Sequence, residues 1–252
     1  MKKMTLKSRL RKGEKLVGMF ITSTDPGLTE VAAITGYDFV VIDTEHGPLN
    51  PTEAMHHIRA AEAKGISPVC RATNAEATTI LRLLDVGAHG IQVPQVNNME
   101  TARQVVAAAK YSPAGTRGMA LPRALDYGMG DFMPSFQQAN DETIVIVHCE
   151  TKESLDVIEE IAAIDEVDVV FLGPFDLSQS LGIPGQTAHP LIQEAVKKVL
   201  GACSKHNKAA GIFAADGDQA KKRLGEGFQY VTINLDMTLF GQKCLEELKK
   251  IR

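Results

Sequence analysis

Short apolar runs, several of them ending in ionisable side chains, recur along this chain and alternate with longer helix-like segments. The stretch DFVVIDTEHGPLN shows the form most clearly: Phe39, Val40, Val41 and Ile42 give way abruptly to Asp43, Glu45 and His46. An unbroken apolar run of this length reads as a strand buried on both faces, with its polar groups at the carboxyl end. TIVIVHCE and VDVVFLGPFDLS repeat the form, the first ending in His148, Cys149 and Glu150, the second in Gly173, Pro174, Phe175 and Asp176.

The alternation predicts strands at Leu16–Ile21, Asp38–Ile42, Ser67–Arg71, Gly90–Val93, Thr143–Cys149, Val167–Leu172, Ala209–Phe213 and Phe228–Asn234. Helices are predicted from Asp25 to about Ile34 and over Pro51–Lys64, Glu76–Asp85, Met99–Ala109, Phe132–Gln138, Ser154–Ala163, Pro190–His206, Asp218–Gly225 and Met237–Ile251. A short amphipathic helix over Thr5–Lys12 is expected to plug the barrel floor. Strands that alternate strictly with helices imply right-handed crossovers and an all-parallel sheet, and their number favours closure into an α/β fold of the (β/α)8 TIM barrel type, one domain over residues 1–252. A Rossmann sheet would need a G-x-G-x-x-G turn after the first strand, and Ile21-Thr22-Ser23-Thr24-Asp25 is not one.

Strands of such a barrel carry their active groups at the carboxyl end, so His46, Glu150 and Asp176 are expected to share one mouth. The segment Tyr111–Gly130, YSPAGTRGMALPRALDYGMG, is too long for an ordinary connection and reads as functional or disordered; folded back towards the carboxyl ends of the strands, it could cover that mouth as a lid.

With 252 residues and 44% hydrophobic content, the chain can bury a full core. Its 27 basic and 31 acidic residues leave a formal charge of -4, which provides no basic footprint for nucleic acid or for a membrane surface, and neither partner is expected. The opening MKKMTLKSRLRKGEKLVG is positively charged without the apolar stretch of a secretory signal, and no later stretch reads as a bilayer span. Cys70, Cys149, Cys203 and Cys244 are scattered with no C-x-x-C pair, which points to small buried hydrophobes in a reduced, cytoplasmic protein.

Glu150 and Asp176, raised to one mouth by neighbouring strands, would form a hard, oxygen-rich, incompletely filled site suited to Mg²⁺ or Mn²⁺. The alternative is a pair of surface or helix-capping carboxylates, since Asp176 lies just after Gly-Pro. His46, at a strand end, suits a general base near neutral pH; His56, His57, His89, His189 and His206 fall in helices or loops instead. Arg71 closes the strand SPVCR, where its guanidinium could hold a carboxylate or stabilise an oxyanion, or else form an ion pair with Asp43 or Glu45. Backbone amides around Gly173-Pro174-Phe175 could bind a substrate carboxylate, although Gly-Pro alone is only a turn signal.

Taken together, DFVVIDTEHGPLN, PVCR, LLDVGAHGIQVPQV, YSPAGTRG, VHCE and FLGPFDLSQSLG, in this order and spacing, resemble the metal-dependent class II pyruvate aldolases of the 4-hydroxy-2-oxoheptanedioate aldolase and 2-dehydro-3-deoxyglucarate aldolase type. The resemblance covers nearly the whole chain and implies an aldehyde-lyase that reversibly cleaves a 4-hydroxy-2-oxo acid into pyruvate and an aldehyde through a metal-stabilised enolate. It implies Glu150 and Asp176 as ligands of a divalent metal ion (Mg²⁺ or Mn²⁺, with Co²⁺ a further candidate), His46 as the base, Arg71 as the charge stabiliser and Asp85 as the group that raises the basicity of His46. Asp43 would orient the 4-hydroxyl, with His148, Gly173 and Phe175 at the substrate. Asp85 conflicts with the predicted topology, because the end of its helix should lie at the barrel floor; a shorter helix or a neighbouring subunit would resolve this. His148 stands where the family commonly has Gln, and Phe175 where it often has a small residue. The resemblance further implies a homo-oligomer, a hexamer, with the last helix exchanged between neighbours. Two alternatives share part of the pattern: a citrate-lyase-like enzyme acting on a CoA thioester, and a non-catalytic barrel that binds an oxo acid.

Overall fold

Period-two alternation accounts for the sheet. In the computed structural model, which describes residues 5–252, the apolar strand residues divide into two packed sets. Phe39, Val41, Val69, Ile144, Ile146, Val169 and Phe171 fill one interior cluster, while their neighbours Val40, Ile42, Cys70, Val145, Val147 and Val170 pack in the larger layer with the helices. The strands are β1 (Leu16–Ile21), β2 (Phe39–Asp43), β3 (Ser67–Arg71), β4 (Gly90–Val93), β5 (Ile144–Cys149), β6 (Val169–Leu172), β7 (Ala209–Ala214) and β8 (Tyr230–Leu235). Each pairs in parallel with the next, and β8 returns to β1, so the expected eight-stranded barrel closes.

The interior is fitted by opposing large and small side chains. A Cβ on Gly18 of β1 would collide with the ring of Phe39 on β2, and one on Gly90 of β4 with Ile144 on β5. These glycines are required by close packing rather than by backbone freedom.

The helices are α1 (Leu6–Arg11), α2 (Gly27–Ile34), α3 (Pro51–Lys64), α4 (Ala77–Asp85), α5 (Met99–Ala109), α6 (Phe132–Glu142), α7 (Lys152–Asp156), α8 (Ile158–Ala162), α9 (Pro174–Ser180), α10 (Pro190–Lys205), α11 (Gly217–Glu226) and α12 (Asp236–Leu248). The signals read in the sequence explain α3 well: Asn50 and Glu53 form a reciprocal cap around Pro51, and Gly65 ends the helix at φ 77°. As expected, α1 plugs the floor, with Leu6 and Leu10 joining the interior cluster. Lys7, on the same helix, is buried and reaches Asp168 Oδ2 at 3.1 Å and the carbonyl of Thr143 at 3.3 Å. Beside it, Lys110 Nζ donates to the carbonyls of Asn140 (2.6 Å) and Thr143 (2.8 Å). Burial, reinforced by the charge of Lys7, pushes the Lys110 ammonium down to about 8 against the pull of Asp168 and Glu166.

Several expectations are corrected. The segment Tyr111–Gly130 is not a lid: the amide of Arg117 bonds the carbonyl of Lys110, Arg123 bonds Glu62 and the carbonyl of Val86, and the segment lines a cavity of about 410 Å³ with Leu6, His89 and Thr143, at the amino end of the strands. The helix predicted over Ser154–Ala163 is split into α7 and α8, where Val157 leaves the helical region at φ -107° and ψ 18°. The stretch DLSQSLGIPGQTAHP after β6 reads in the sequence as a loop, but its start is helical, because Pro174 occupies the first position of α9. Of the four cysteines, Cys70, Cys149 and Cys203 are buried, whereas Cys244 is exposed. Among the described residues no helix is long and apolar enough to cross a membrane.

Candidate active site

Strand register sets the site. Asp43 and Arg71, the last residues of β2 and β3, lie abreast, and Arg71 pairs in turn with Gln92 on β4. His148 continues the inward-facing row of Ile144 and Ile146 on β5, and Glu150 and Gly173 lie one residue beyond the ends of β5 and β6. Above this row opens a cavity of about 290 Å³ lined by His46, Arg71, His148, Glu150, Phe175 and Asp176, among others. His46, Glu150 and Asp176 therefore meet at one mouth, as the sequence led us to expect.

Arg71 forms the ion pairs with Asp43 and Glu45 and also lines the cavity, bound on three sides. Its Nε donates to Asp43 Oδ1 at 2.9 Å, Nη2 bonds Asp43 Oδ2, Nη1 lies 3.1 Å from Glu45 Oε2, and the guanidinium rests 4.9 Å from the Phe20 ring centroid. Asp43 is fully buried and also accepts from the amides of Glu45 (3.0 Å) and His46 (3.2 Å). Burial pushes its carboxyl up, but Arg71 and the two amides outweigh this and hold it below the usual range. Asp43, expected at the substrate's 4-hydroxyl, is not among the residues that line the cavity; its oxygens are engaged with Arg71 and with the turn carrying His46. Burial raises the Glu45 carboxyl despite Arg71 and His46. The His46 side chain is 63% exposed, with Nε2 3.8 Å from Glu45 Oε2, and is open to a bound molecule.

Glu150, only 4% exposed, is held by both oxygens: Oε1 accepts the amide of Gln95 at 2.6 Å, and Oε2 lies 2.6 Å from His148 Nδ1. Burial raises its carboxyl, and the neighbouring His148, the Gln95 amide and Arg71 outweigh that and bring it below the usual range. Asp176, exposed in the first turn of α9, faces the same cavity and shares a second one of about 310 Å³ with Glu45, His46 and Glu150. One ionised buried carboxylate and one exposed carboxylate on a common space fit a hard divalent cation that keeps positions for water and substrate oxygens. Among the described residues, no group of three or more His, Cys, Asp or Glu side chains gathers as a metal cluster.

Three further expectations change. The Gly173 amide is already used, donating to the carbonyl of Cys149 at 3.1 Å, so it is not a free donor for substrate. A Cβ on Gly173 would crowd Glu150, lying 3.0 Å from its Cβ and 3.1 Å from its Oε2. Pro174 has no N–H, and the first amide towards the mouth is that of Phe175, whose half-exposed ring packs edge-on to Phe213 at 6.2 Å. Asp85 is not brought to His46 within the chain: it ends α4 at the floor, where Arg117 Nη2 bonds it at 2.6 Å. His148 does line the cavity, but it is 2% exposed and its ring nitrogens face Glu150 and Gln92. Sequence reasoning missed Gln92, Gln95 and Tyr230. The available signal was a glutamine inside the otherwise apolar strand GIQV.

Known proteins with the same sequence features have this architecture. The sequence profile described as HpcH/HpaI aldolase/citrate lyase matches residues 16–242. The chain is 36% identical over 242 residues to 2-keto-3-deoxy-L-rhamnonate aldolase of Escherichia coli (strain K12), covering 96% of this chain and 91% of that protein. It superposes on the crystal structure of an HpcH/HpaI aldolase from Desulfitobacterium hafniense DCB-2 with a TM-score of 0.94 at 31% identity, covering 99% and 97% of the two chains. With the citrate synthase SbnG the TM-score is 0.89 at 33% identity, covering 98% and 97%.

Proposed function

The chain belongs to the HpcH/HpaI aldolase/citrate lyase family, and from that premise we propose that it is a divalent-cation-dependent aldolase cleaving a 4-hydroxy-2-oxo acid, of the 2-oxo-3-deoxy sugar-acid class, into pyruvate and an aldehyde. The observation that carries this reading is the convergence of Glu150, Asp176, His46 and Arg71 on one mouth. Glu150 and Asp176 would hold the cation; Mg²⁺ and Mn²⁺ suit these donors better than the softer Co²⁺. When bound, the cation supplies Lewis-acid polarisation of the 2-oxo group.

The residues then divide the remaining work. His46 takes the proton of the 4-hydroxyl, the electron pair of the C3–C4 bond moves towards C2, the aldehyde leaves, and the protonated His46 returns its proton to C3. Arg71, fixed by Asp43, presents its guanidinium to the negative charge that develops on the 2-oxo oxygen. The Phe175 amide is the backbone donor for the substrate carboxylate. Phe20, Phe171 and Phe213 exclude water from one side of the cavity. The 33% identical citrate synthase favours, as a second reading, use of the same residues to form rather than break a carbon–carbon bond.

Assembly is part of the proposal. Met237, Phe240, Leu245 and Leu248 leave an exposed apolar stripe on α12, which supports packing of that helix on another copy in a hexamer. A neighbouring copy could then present Asp85 to His46. Free thiols at all four cysteines support a reducing compartment, the cytoplasm.

The test is pyruvate release from a panel of 4-hydroxy-2-oxo acids, coupled to lactate dehydrogenase. Release with Mg²⁺ or Mn²⁺ that stops on chelation is expected. Turnover confined to acyl-CoA substrates, or pyruvate binding with no turnover of any acid, would replace this reading with one of its alternatives.

A further inference from the structure

Beneath the mouth, a line of buried polar groups runs from the barrel interior to Glu150. Tyr230 Oη lies 3.0 Å from Gln92 Oε1, Gln92 Nε2 lies 2.8 Å from His148 Nε2, and His148 Nδ1 lies 2.6 Å from Glu150 Oε2. Tyr230, Gln92 and His148 are at most 2% exposed. Aromatic contacts fix the rings: Tyr230 stacks on Phe39 at 4.1 Å, and His148 stacks on Phe171 at 5.0 Å.

The direction of the line follows from counting donors and acceptors. Among the described residues the Tyr230 hydroxyl has no partner other than Gln92, so its proton must go to Gln92 Oε1 or remain unpaired in the core, which is strongly unfavourable. That orientation turns the Gln92 amide nitrogen towards His148, and an N–H donor there requires His148 Nε2 to accept. The imidazole proton is left on Nδ1, pointing at Glu150.

We infer that Tyr230 and Gln92 lock His148 in its Nδ1–H tautomer, making His148 a positioning residue that fixes the plane of the Glu150 carboxylate from inside the barrel. With Gln95 holding Oε1 on the other side, Glu150 cannot rotate about its terminal bond without breaking a hydrogen bond. The functional half of the inference rests on the proposal that Glu150 binds the cation; the tautomer does not. Groups behind a metal ligand that fix its orientation are typically worth about 10–100-fold in metal affinity. Tyr230 and Gln92 lie too deep to touch substrate and act only through His148.

The test joins two measurements on the full-length protein. Long-range ¹H–¹⁵N spectra of ¹⁵N-histidine protein without added metal, with His148 assigned by loss of its signals in His148→Gln, are expected to show protonated Nδ1 and unprotonated Nε2. Tyr230→Phe keeps the ring packing but frees the Gln92 amide, and should give a mixed tautomer population. Mn²⁺ titration followed by electron paramagnetic resonance should show affinity falling about tenfold in Tyr230→Phe and more in His148→Phe, with recovery in His148→Gln, whose amide can still donate to Glu150. A protonated Nε2 in the wild type, or Tyr230→Phe with unchanged tautomer and Mn²⁺ affinity, would overturn the inference. Full Mn²⁺ affinity in Glu150→Gln would instead overturn the assignment of Glu150 as a ligand, leaving the tautomer result to stand by itself.

Discussion

Changing Asp43 to Asn removes one charge and little volume, which makes it the sharpest probe of the clamp beneath the site. Asp43 is fully buried and Arg71 is 9% exposed, so the guanidinium cannot turn to bulk water when its partner is neutralised. Removing one member of a buried pair costs about 3–5 kcal/mol, mostly through the charge left behind. Glu45, 3.1 Å from Nη1, still compensates in part, and the Asn oxygen can still accept the amides of Glu45 and His46. The expected loss is therefore near the lower end, about 3 kcal/mol. For a chain of this size that is a fall of about 6–12 °C in unfolding temperature, at about 2–4 °C per kcal/mol. Calorimetry at neutral pH measures it, and the double variant Asp43→Asn, Arg71→Met should regain part of the loss because no orphan charge remains. Because the Asp43 carboxyl is held below the usual range, its contribution is fully present above that range and is lost as the pH falls from it to the carboxyl's own lower value, so wild type and variant should converge only in stronger acid. An unfolding temperature within about 2 °C of wild type would refute the buried-clamp reasoning.

Other outcomes follow from the same geometry. His46→Ala should keep Mn²⁺ binding while losing proton transfer by about 10²–10⁴-fold, whereas Glu150→Gln should lose Mn²⁺ binding and activity together; isothermal titration and pyruvate release separate the two. Lys110 is lowered from 10.5 to about 8, so the folded state binds fewer protons than the unfolded chain between those values. The Lys110 contribution should therefore turn in favour of folding across that window, by roughly 3 kcal/mol at about 1.4 kcal/mol per pH unit; because burial pushes the thiols of Cys70, Cys149 and Cys203 up and opposes it, the readout is the difference in urea-unfolding stability between wild type and Lys110→Met, which should move in favour of wild type. Gly18→Ala places a methyl into the Phe39 ring and should cost about 1–3 kcal/mol by calorimetry.

How far the sequence could be read depends on the range of the interactions involved. Strand positions and the meeting of His46, Glu150 and Asp176 were legible because period-two burial is local and barrel topology sends every strand end to one side. Arg71 was placed correctly, but its grip on Asp43 depends on the register between β2 and β3, which no single segment encodes. The segment 111–130 was recognisable as special from its length, yet its side of the barrel is decided by Arg117 and Arg123 reaching distant acceptors. Gln92 and Tyr230 escaped notice because their partners lie 56 and 138 positions away. The break at Val157 and the helical turn of α9 show the opposite limit, where local geometry overrode a pattern that read as one helix or as a loop.

The proposal that one mouth combines a cation on Glu150 and Asp176 with proton transfer by His46 meets its most direct test in the methyl protons of pyruvate. In deuterated buffer with Mg²⁺ or Mn²⁺, proton NMR should show the methyl signal disappearing, with the loss stopped by exhaustive chelation, restored by added metal and absent in His46→Ala. Exchange that survives complete removal of metal, or that runs at the wild-type rate in His46→Ala, would contradict it.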